Sequence, residues 1–236
     1  MIKKIGSIAL ILLAVTFIAS YAKADSFAVG DFIAHTGNNA VAPGGVTGGE
    51  HLISAPPPTV NLAAAIPTFC VSMIDDAAST MYIRNISTLA GSANIPLTPE
   101  VAYLYTMFRN GSLDGYDFDN FEERSKDAEA LQFAIWYFMG GLSWPSIVNN
   151  SDDVATVQHF VDLANAAVDS EEWVGIGSVR VLNLYRQADY GQTPYDPAVY
   201  DTRAQDLLTI VPEPTSLLLL GSGLALLAGL ARYKKR

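Results

Sequence analysis

The residue with the clearest chemical potential in this sequence is its single cysteine, Cys70. A thiolate is a strong nucleophile, and a reactive cysteine usually has a base or a positive charge beside it. Cys70 lies in the apolar run Phe69–Val71, where a cysteine can equally serve as a small buried hydrophobe. One cysteine excludes an internal disulfide and a multi-cysteine zinc site. The residue types alone therefore leave a nucleophile and a core residue as alternatives.

Three histidines and one acidic segment are the other candidates for chemistry. His35, His51 and His159 show no metal-binding spacing with one another or with Cys70, so neither a metal nor a cofactor is expected. A Cys–His nucleophile pair stays open, because such partners are often distant in sequence. Residues 114–123 are rich in carboxylates but lack the spacing and glycine of a calcium loop, which favours a solvated acidic loop over a calcium site.

Hydrolase and nucleotide-binding signatures are missing from the sequence. It contains no Gly-x-Ser-x-Gly elbow, no phosphate-binding loop and no dinucleotide fingerprint. A secreted hydrolase therefore remains an alternative function that no residue in the sequence supports.

Capping residues and apolar spacing predict three helices. The first begins at Thr98–Glu100, with an N-cap, a proline and an acid in the first turn, and its apolar face consists of Val101, Leu104, Tyr105 and Phe108. The second begins near Ser125 and ends at Gly140. The third begins at Ser151–Asp153 and carries inward-facing valines as far as Val168.

The remaining apolar runs predict strands at Phe69–Ile74, Met81–Ile83, Val179–Tyr185 and Leu207–Val211. Residues 25–58 are rich in glycine and proline, with no apolar period, which is typical of a loop-like segment. Strands followed by helices and further strands indicate an α+β fold, in which antiparallel strands pack with about three helices. A signal helix and a transmembrane helix are expected at the two ends.

The cysteine segment and the second helix together resemble one kind of domain. Thr68–Val71 places a cysteine after an aromatic residue on a strand, and Gln132–Trp136 reads Gln-Phe-Ala-Ile-Trp. These segments resemble the two halves of the Cys–Gln thioester domains of surface adhesins, found mainly in Gram-positive bacteria. The resemblance implies a thioester-domain-like ectodomain at residues 59–211, with a crosslink between Cys70 and Gln132.

The resemblance also implies a mechanism. The Cys70 thiolate would attack the side-chain carbonyl of Gln132, releasing ammonia and closing an internal thioester. Trp136, one helical turn after Gln132, is the candidate lid, and Phe69 and Tyr137 are further candidates for the pocket wall. An amine or hydroxyl of a partner would then displace Cys70 and become joined to Gln132. Because this is single-turnover nucleophilic chemistry, the protein is not expected to be an enzyme.

The first 24 residues are typical of a secretory signal peptide. Lys3 and Lys4 precede an apolar stretch, and Ala22 and Ala24 form an Ala-x-Ala cleavage site. Cleavage by signal peptidase after Ala24 makes Asp25 the first residue of the exported body. An uncleaved anchor helix is the alternative.

The C-terminal region, residues 212–236, has three parts. A short motif formed by Val211, Pro212, Glu213 and Pro214 precedes 17 uncharged residues and a basic tail at 232–236. The apolar stretch reaches the lower limit of about 17 residues for a membrane span, and the basic tail favours the cytoplasmic side. The arrangement resembles the PEP-CTERM sorting signal of exopolysaccharide-producing Gram-negative bacteria. That resemblance implies processing by an exosortase, a membrane-embedded transpeptidase, whereas the alternative is a plain C-terminal anchor.

The exported body is strongly acidic. Residues 25–211 carry 7 Lys and Arg against 23 Asp and Glu, a formal charge of −16 compared with −10 for the whole chain. Nucleic acid is an excluded partner, because phosphate binding needs clustered basic side chains.

The sequence thus predicts an exported protein of the cell surface or extracellular matrix, held transiently in the inner membrane by its C-terminal helix. Its predicted role is covalent attachment to surface or matrix nucleophiles. The alternative is a non-catalytic structural or binding protein of the exopolysaccharide matrix that lacks a thioester.

Overall fold

The computed structural model describes residues 25–37, 49–55, 59–72, 78–186 and 203–211. Strands and helices in these residues form an α+β fold, as predicted. The predicted signal helix and C-terminal membrane helix lie outside the described residues. None of the helices in the described part of the chain combines the length and the hydropathy that crossing a bilayer requires.

The elements of the described residues alternate between a sheet and a block of helices. The strands are β1 (Phe32–Gly37), β2 (His51–Ser54), β3 (Ile66–Thr68), β4 (Thr80–Ser87), β5 (Leu89–Ala90), β6 (Ile95–Pro96), β7 (Val179–Arg186) and β8 (Leu207–Ile210). The helices are α1 (Pro99–Arg109), α2 (Phe121–Phe138), α3 (Trp144–Asn150) and α4 (Val154–Asp169).

Six of the strands form one antiparallel sheet that nearly closes into a barrel. The strand order is β3-β2-β1-β4-β7-β8, and β5 and β6 form a separate small hairpin. The residues that follow β3 meet β8 at the far edge, where Cys70 bridges to Leu207. The backbone N–H of Leu208 donates to the carbonyl of Phe69 at 3.1 Å, on one side of that bridge. Cys70 therefore lies in the seam that closes the sheet.

The helix predictions from capping residues are confirmed, with two differences. The Thr98 side chain caps α1 and the Asp153 side chain caps α4. Helix α2 begins at Phe121, earlier than predicted, because the Asn120 side chain accepts a hydrogen bond from Glu122 N at 3.1 Å. Helix α3 was not predicted, since its seven residues are too short to show an apolar period.

The segment predicted to be loop-like contains two strands, so that prediction was wrong for part of its length. β1 pairs with both β2 and β4, which places it inside the sheet. The glycine-rich residues between β1 and β2 dominate the composition of this segment and hide two short apolar runs. Likewise, the strand predicted at Phe69–Ile74 is displaced: β3 ends at Thr68, and Met73 and Ile74 lie outside the described residues.

Two buried clusters lie on opposite faces of the sheet. The barrel cluster contains the inward-facing residues Ile33, Ile53, Cys70, Met81, Ile83, Trp136, Leu182, Leu184, Ala204 and Leu207. The helix cluster contains side chains of all four helices and the outer face of the sheet, including Phe69, Val181 and Leu208. Phe69 and Cys70 are adjacent in the chain, but their side chains point to opposite faces of the sheet. Phe69 therefore packs in the helix cluster and Cys70 in the barrel cluster.

Candidate functional site

Cys70 and Gln132 meet in the interior, although they are 62 residues apart in the sequence. The backbone N–H of Cys70 donates to Gln132 Oε1 at 3.0 Å, and Gln132 Nε2 donates to the carbonyl of Cys70 at 2.7 Å. Both residues have no exposed surface. A buried glutamine amide needs partners for its donor and its acceptor, and the backbone of one residue supplies both here. The two residues singled out by the sequence are therefore in direct contact.

Two histidines that the sequence did not connect with Cys70 complete the cluster. His51 Nε2 lies 2.9 Å from Cys70 Sγ, and His51 Nδ1 lies 2.7 Å from His35 Nε2. The two imidazole rings have centroids 4.9 Å apart. The thiol, the two imidazoles and the Gln132 amide form what we call the Cys70 cluster.

Strand register explains why these side chains converge. In the antiparallel pairing of β1 with β2, His35 stands opposite Ile53, so His51 is its diagonal neighbour on the same face. In the pairing of β2 with β3, His51 stands opposite Thr68, and Cys70 is again the diagonal neighbour on that face. Strands β1 and β2 and the segment directly after β3 thus each contribute one inward-facing side chain.

Burial keeps the three titratable groups of the Cys70 cluster neutral near pH 7. Desolvation raises the pKa of the Cys70 thiol well above its usual range. Desolvation, reinforced by the neighbouring His35, lowers the pKa of His51 to about 3. Desolvation also lowers the pKa of His35 to about 4, against a hydrogen bond to the backbone of Ala78 that raises it. The resting state therefore pairs a thiol with an imidazole and contains no thiolate–imidazolium pair.

The three aromatic residues predicted to enclose the crosslink lie in different places. Trp136 is 1% exposed and shares the barrel cluster with Cys70, one turn along α2 from Gln132. Among the described residues its indole N–H has no hydrogen-bond partner. Phe69 packs edge-on against Phe108 in the helix cluster. Tyr137 contacts Trp144 at the border of the same cluster. Trp136 is thus the aromatic candidate that shares a cluster with the thiol.

A buried aspartate in the last strand region fixes the seam beside Cys70. Asp206 has no exposed surface, and its carboxylate accepts hydrogen bonds from four donors: Gly91 N at 2.8 Å, Asn183 Nδ2 at 2.8 Å, Leu184 N at 3.0 Å and Arg203 Nη2 at 2.8 Å. Burial nevertheless raises its pKa. The carbonyl of Asp206 accepts from Val71 N at 3.1 Å, which fixes the backbone directly after Cys70.

The described residues next to the two predicted processing points are neighbours in the fold. Asp25, the first residue after the predicted signal cleavage site, donates its backbone N–H to the carbonyl of Ile210 at 2.7 Å. Its side chain accepts from Ile210 N at 3.0 Å and makes two bonds, at 2.8 and 2.9 Å, with the Arg109 guanidinium. Ile210 directly precedes Val211, which is described, whereas Pro212, Glu213 and Pro214 lie outside the described residues, as do Ala22 and Ala24. The start of the exported body and the approach to the sorting motif are therefore held together.

The acidic loop uses one of its carboxylates within its own structure. Asp117 accepts from the backbone N–H groups of Asp119 and Asn120, each at 2.9 Å. Asp127 accepts from Asp117 N at 2.7 Å. No group of three or more His, Cys, Asp or Glu side chains suited to a metal ion occurs among the described residues.

Comparison with known proteins identifies one motif. The family model of the PEP-CTERM protein-sorting motif matches residues 211–236, which confirms the sorting signal predicted at that end. The motif indicates export, sorting to the cell surface and processing by an exosortase. No curated protein and no solved structure matches the chain.

Proposed function

We propose that this exported protein carries an internal thioester between Cys70 and Gln132 and uses it to attach covalently to surface or matrix molecules. The observation that carries the proposal is the pair of hydrogen bonds, at 3.0 and 2.7 Å, that hold the Gln132 amide against the backbone of Cys70. These bonds hold the Gln132 amide against the residue that carries the nucleophile.

The same contacts suit the closing reaction. The Cys70 sulfur forms a bond to the Gln132 side-chain carbon, the carbon–nitrogen bond of the amide breaks, and the nitrogen leaves as ammonia with the thiol proton. The backbone N–H of Cys70, 3.0 Å from Gln132 Oε1, is a donor to the oxygen on which negative charge develops. The reaction needs no cofactor, because both reacting groups belong to the chain.

Burial would preserve the bond until a partner arrives. Water is kept from a site where both residues have no exposed surface, and the buried Trp136 packs in the same cluster as the thiol. An amine or hydroxyl that enters would take the acyl group of Gln132 and release the Cys70 thiol. Each molecule reacts once, so we propose that the protein is not an enzyme.

We expect the thioester to attach to molecules outside the cell, because the sorting signal directs the protein to the cell surface. We propose that the exported body acts at the cell surface or in the exopolysaccharide matrix after release from the inner membrane. The alternative is a structural or binding protein of that matrix in which the Cys70–Gln132 contact is only a packing device.

Intact mass decides between the thioester and the alternative. The exported full chain is expected to be lighter by one ammonia than its processed sequence, because thioester closure expels the Gln132 amide nitrogen. Methylamine is expected to add its own mass and to expose one titratable thiol. Cys70→Ala and Gln132→Ala should each show the full sequence mass, whereas Gln158→Ala, a change on the outer part of α4, should keep the deficit. A wild-type chain of full mass with a titratable thiol would leave the packing alternative.

Replacement of Pro212, Glu213 and Pro214 by alanine tests the sorting step separately. Because the motif is proposed to direct exosortase processing, the triple variant is expected to remain in the inner membrane at its unprocessed length. Fractionation followed by intact mass measures both properties. Release of the variant at the wild-type level would instead favour a plain C-terminal anchor that another protease removes.

A further inference from the structure

We propose that His51 is the catalytic base and acid for closing and opening the Cys70–Gln132 bond, and that His35 is the positioning residue that sets its tautomer. This inference rests on the proposed thioester function. It follows from the contacts of 2.9 Å between Cys70 Sγ and His51 Nε2 and of 2.7 Å between the two imidazoles.

The hydrogen bonds of the two rings can run in one direction. A neutral imidazole carries one donor and one acceptor nitrogen. The His35 ring donates to the backbone of Ala78, so its Nε2, which faces His51, is the acceptor. His51 Nδ1 must then carry the hydrogen, which leaves His51 Nε2 as the acceptor for the Cys70 thiol. The chain thus runs from thiol to His51, to His35, and to a backbone carbonyl.

This direction is the one that acid–base catalysis requires. The S–H bond breaks as its proton passes to His51 Nε2, and the sulfur electron pair forms the bond to the Gln132 carbon. His51 then returns the proton to the departing amide nitrogen, which leaves as ammonia. While His51 is protonated, its Nδ1–H bond to His35 spreads the positive charge toward the less buried ring. In the opening reaction an amine gives its proton to His51, which passes it to the departing Cys70 sulfur.

Neutral groups suit the chain before the thioester closes, when Cys70 is still a thiol. Burial raises the pKa of the Cys70 thiol and lowers the pKa of His51 to about 3, so the proton moves only as the sulfur attacks. A permanent thiolate would instead be open to oxidation in an exported protein. A thiol that stays protonated until it attacks needs a base in contact with its sulfur. Among the described residues that base is His51.

The test compares closure rates that start from one chemical state. Ammonia opens a thioester to the free thiol and the intact glutamine amide. The wild-type full chain treated with ammonia therefore starts in the same chemical state as a variant whose thioester has not closed. After removal of ammonia, intact mass follows the loss of one ammonia with time. His51→Gln is expected to close slower by a factor on the order of 10² to 10⁴, the range contributed by a positioned acid–base group. His159→Gln, the matched change at the third histidine, should close at the wild-type rate.

Variants of His35 separate a positioning role from simple packing. His35→Leu removes the acceptor of the His51 Nδ1–H and lets the hydrogen move to the nitrogen that faces sulfur. Closure is then expected to slow by roughly ten- to a hundredfold, as for other residues that orient a functional imidazole. His35→Gln restores an acceptor and should recover most of the rate, although leucine and glutamine are close in size.

The outcomes distinguish the two proposals. If the wild-type chain carries the thioester but His51→Gln closes as fast, the histidine role is overturned and the thioester stands. If the wild-type chain carries no thioester, both proposals fail. If circular dichroism shows that His51→Gln does not fold, the closure rates of the His35 variants test the proposal instead. Equal closure rates for His35→Leu and His35→Gln would overturn the positioning role of His35 and the proton relay through His51.

Discussion

Arg109→Met is expected to lower the free energy of unfolding by about 3–5 kcal/mol, the usual cost of removing one partner from a buried ion pair. Both Arg109 and Asp25 are almost fully buried, with side-chain exposures of 8% and 2%. The methionine keeps the aliphatic packing of arginine but leaves the Asp25 carboxylate without its counter-charge. Urea unfolding of the purified protein at pH 7 measures the loss.

Two further measurements test this explanation. Asp25→Asn combined with Arg109→Met should recover part of the stability, because a neutral pair leaves no buried charge unpaired. Lys126→Met, in the exposed pair of Lys126 with Glu123, should leave the stability nearly unchanged, because an ion pair in water contributes little. An equal loss in the single and double variants would contradict the electrostatic explanation.

The position of this ion pair links stability to processing. Asp25 binds Arg109 on α1 and also accepts from Thr209 Oγ1 at 2.9 Å on β8. The pair therefore joins Asp25, the predicted first residue of the exported body, to the strand that leads into the sorting motif. Loss of Arg109 would loosen this joint.

Local signals in the sequence were sufficient for three of the four helices in the described residues. Thr98 and Asp153 are side-chain caps that satisfy free N–H groups, and apolar residues three and four apart mark the buried faces that follow. Strands β1 and β2 could not be predicted in the same way. Each is short, both flank a glycine-rich stretch, and their order comes from pairing with β4 and β3. Pairing partners are distant in sequence and leave no local period.

The same reason explains which part of the Cys70 cluster was anticipated. Cys70 and Gln132 lie in two short segments whose pattern could be compared with a known kind of domain. His35 and His51 reach the thiol through two successive diagonal positions across β1, β2 and β3. A prediction of that contact requires the register of both strand pairs. The useful signal would have been whether each histidine occupies an inward-facing or an outward-facing position of its strand. Only the strand pairing of the folded sheet reveals that position.

The two buried histidines are expected to make the protein less stable as the pH falls from about 6.5 toward 4, the interval between their ordinary and folded pKa values. The folded protein lowers the pKa of His35 to about 4 and of His51 to about 3, against an ordinary 6.5. In that interval the unfolded chain binds more protons, so acid favours unfolding. At about 1.4 kcal/mol per pKa unit, His35 alone accounts for a loss on the order of 3 kcal/mol at pH 4, and His51 adds to it.

Urea unfolding at pH 7, 5.5 and 4 measures this loss for the wild type and for the double variant His35→Gln with His51→Gln. Carboxylates titrate in both proteins, so the difference between the two pH profiles isolates the histidines. The double variant should lose several kcal/mol less between pH 7 and pH 4. Parallel profiles for the wild type and the double variant would mean that the folded state accepts these protons freely. The neutral imidazole pair on which the direction of the thiol–His51–His35 chain depends would then be wrong.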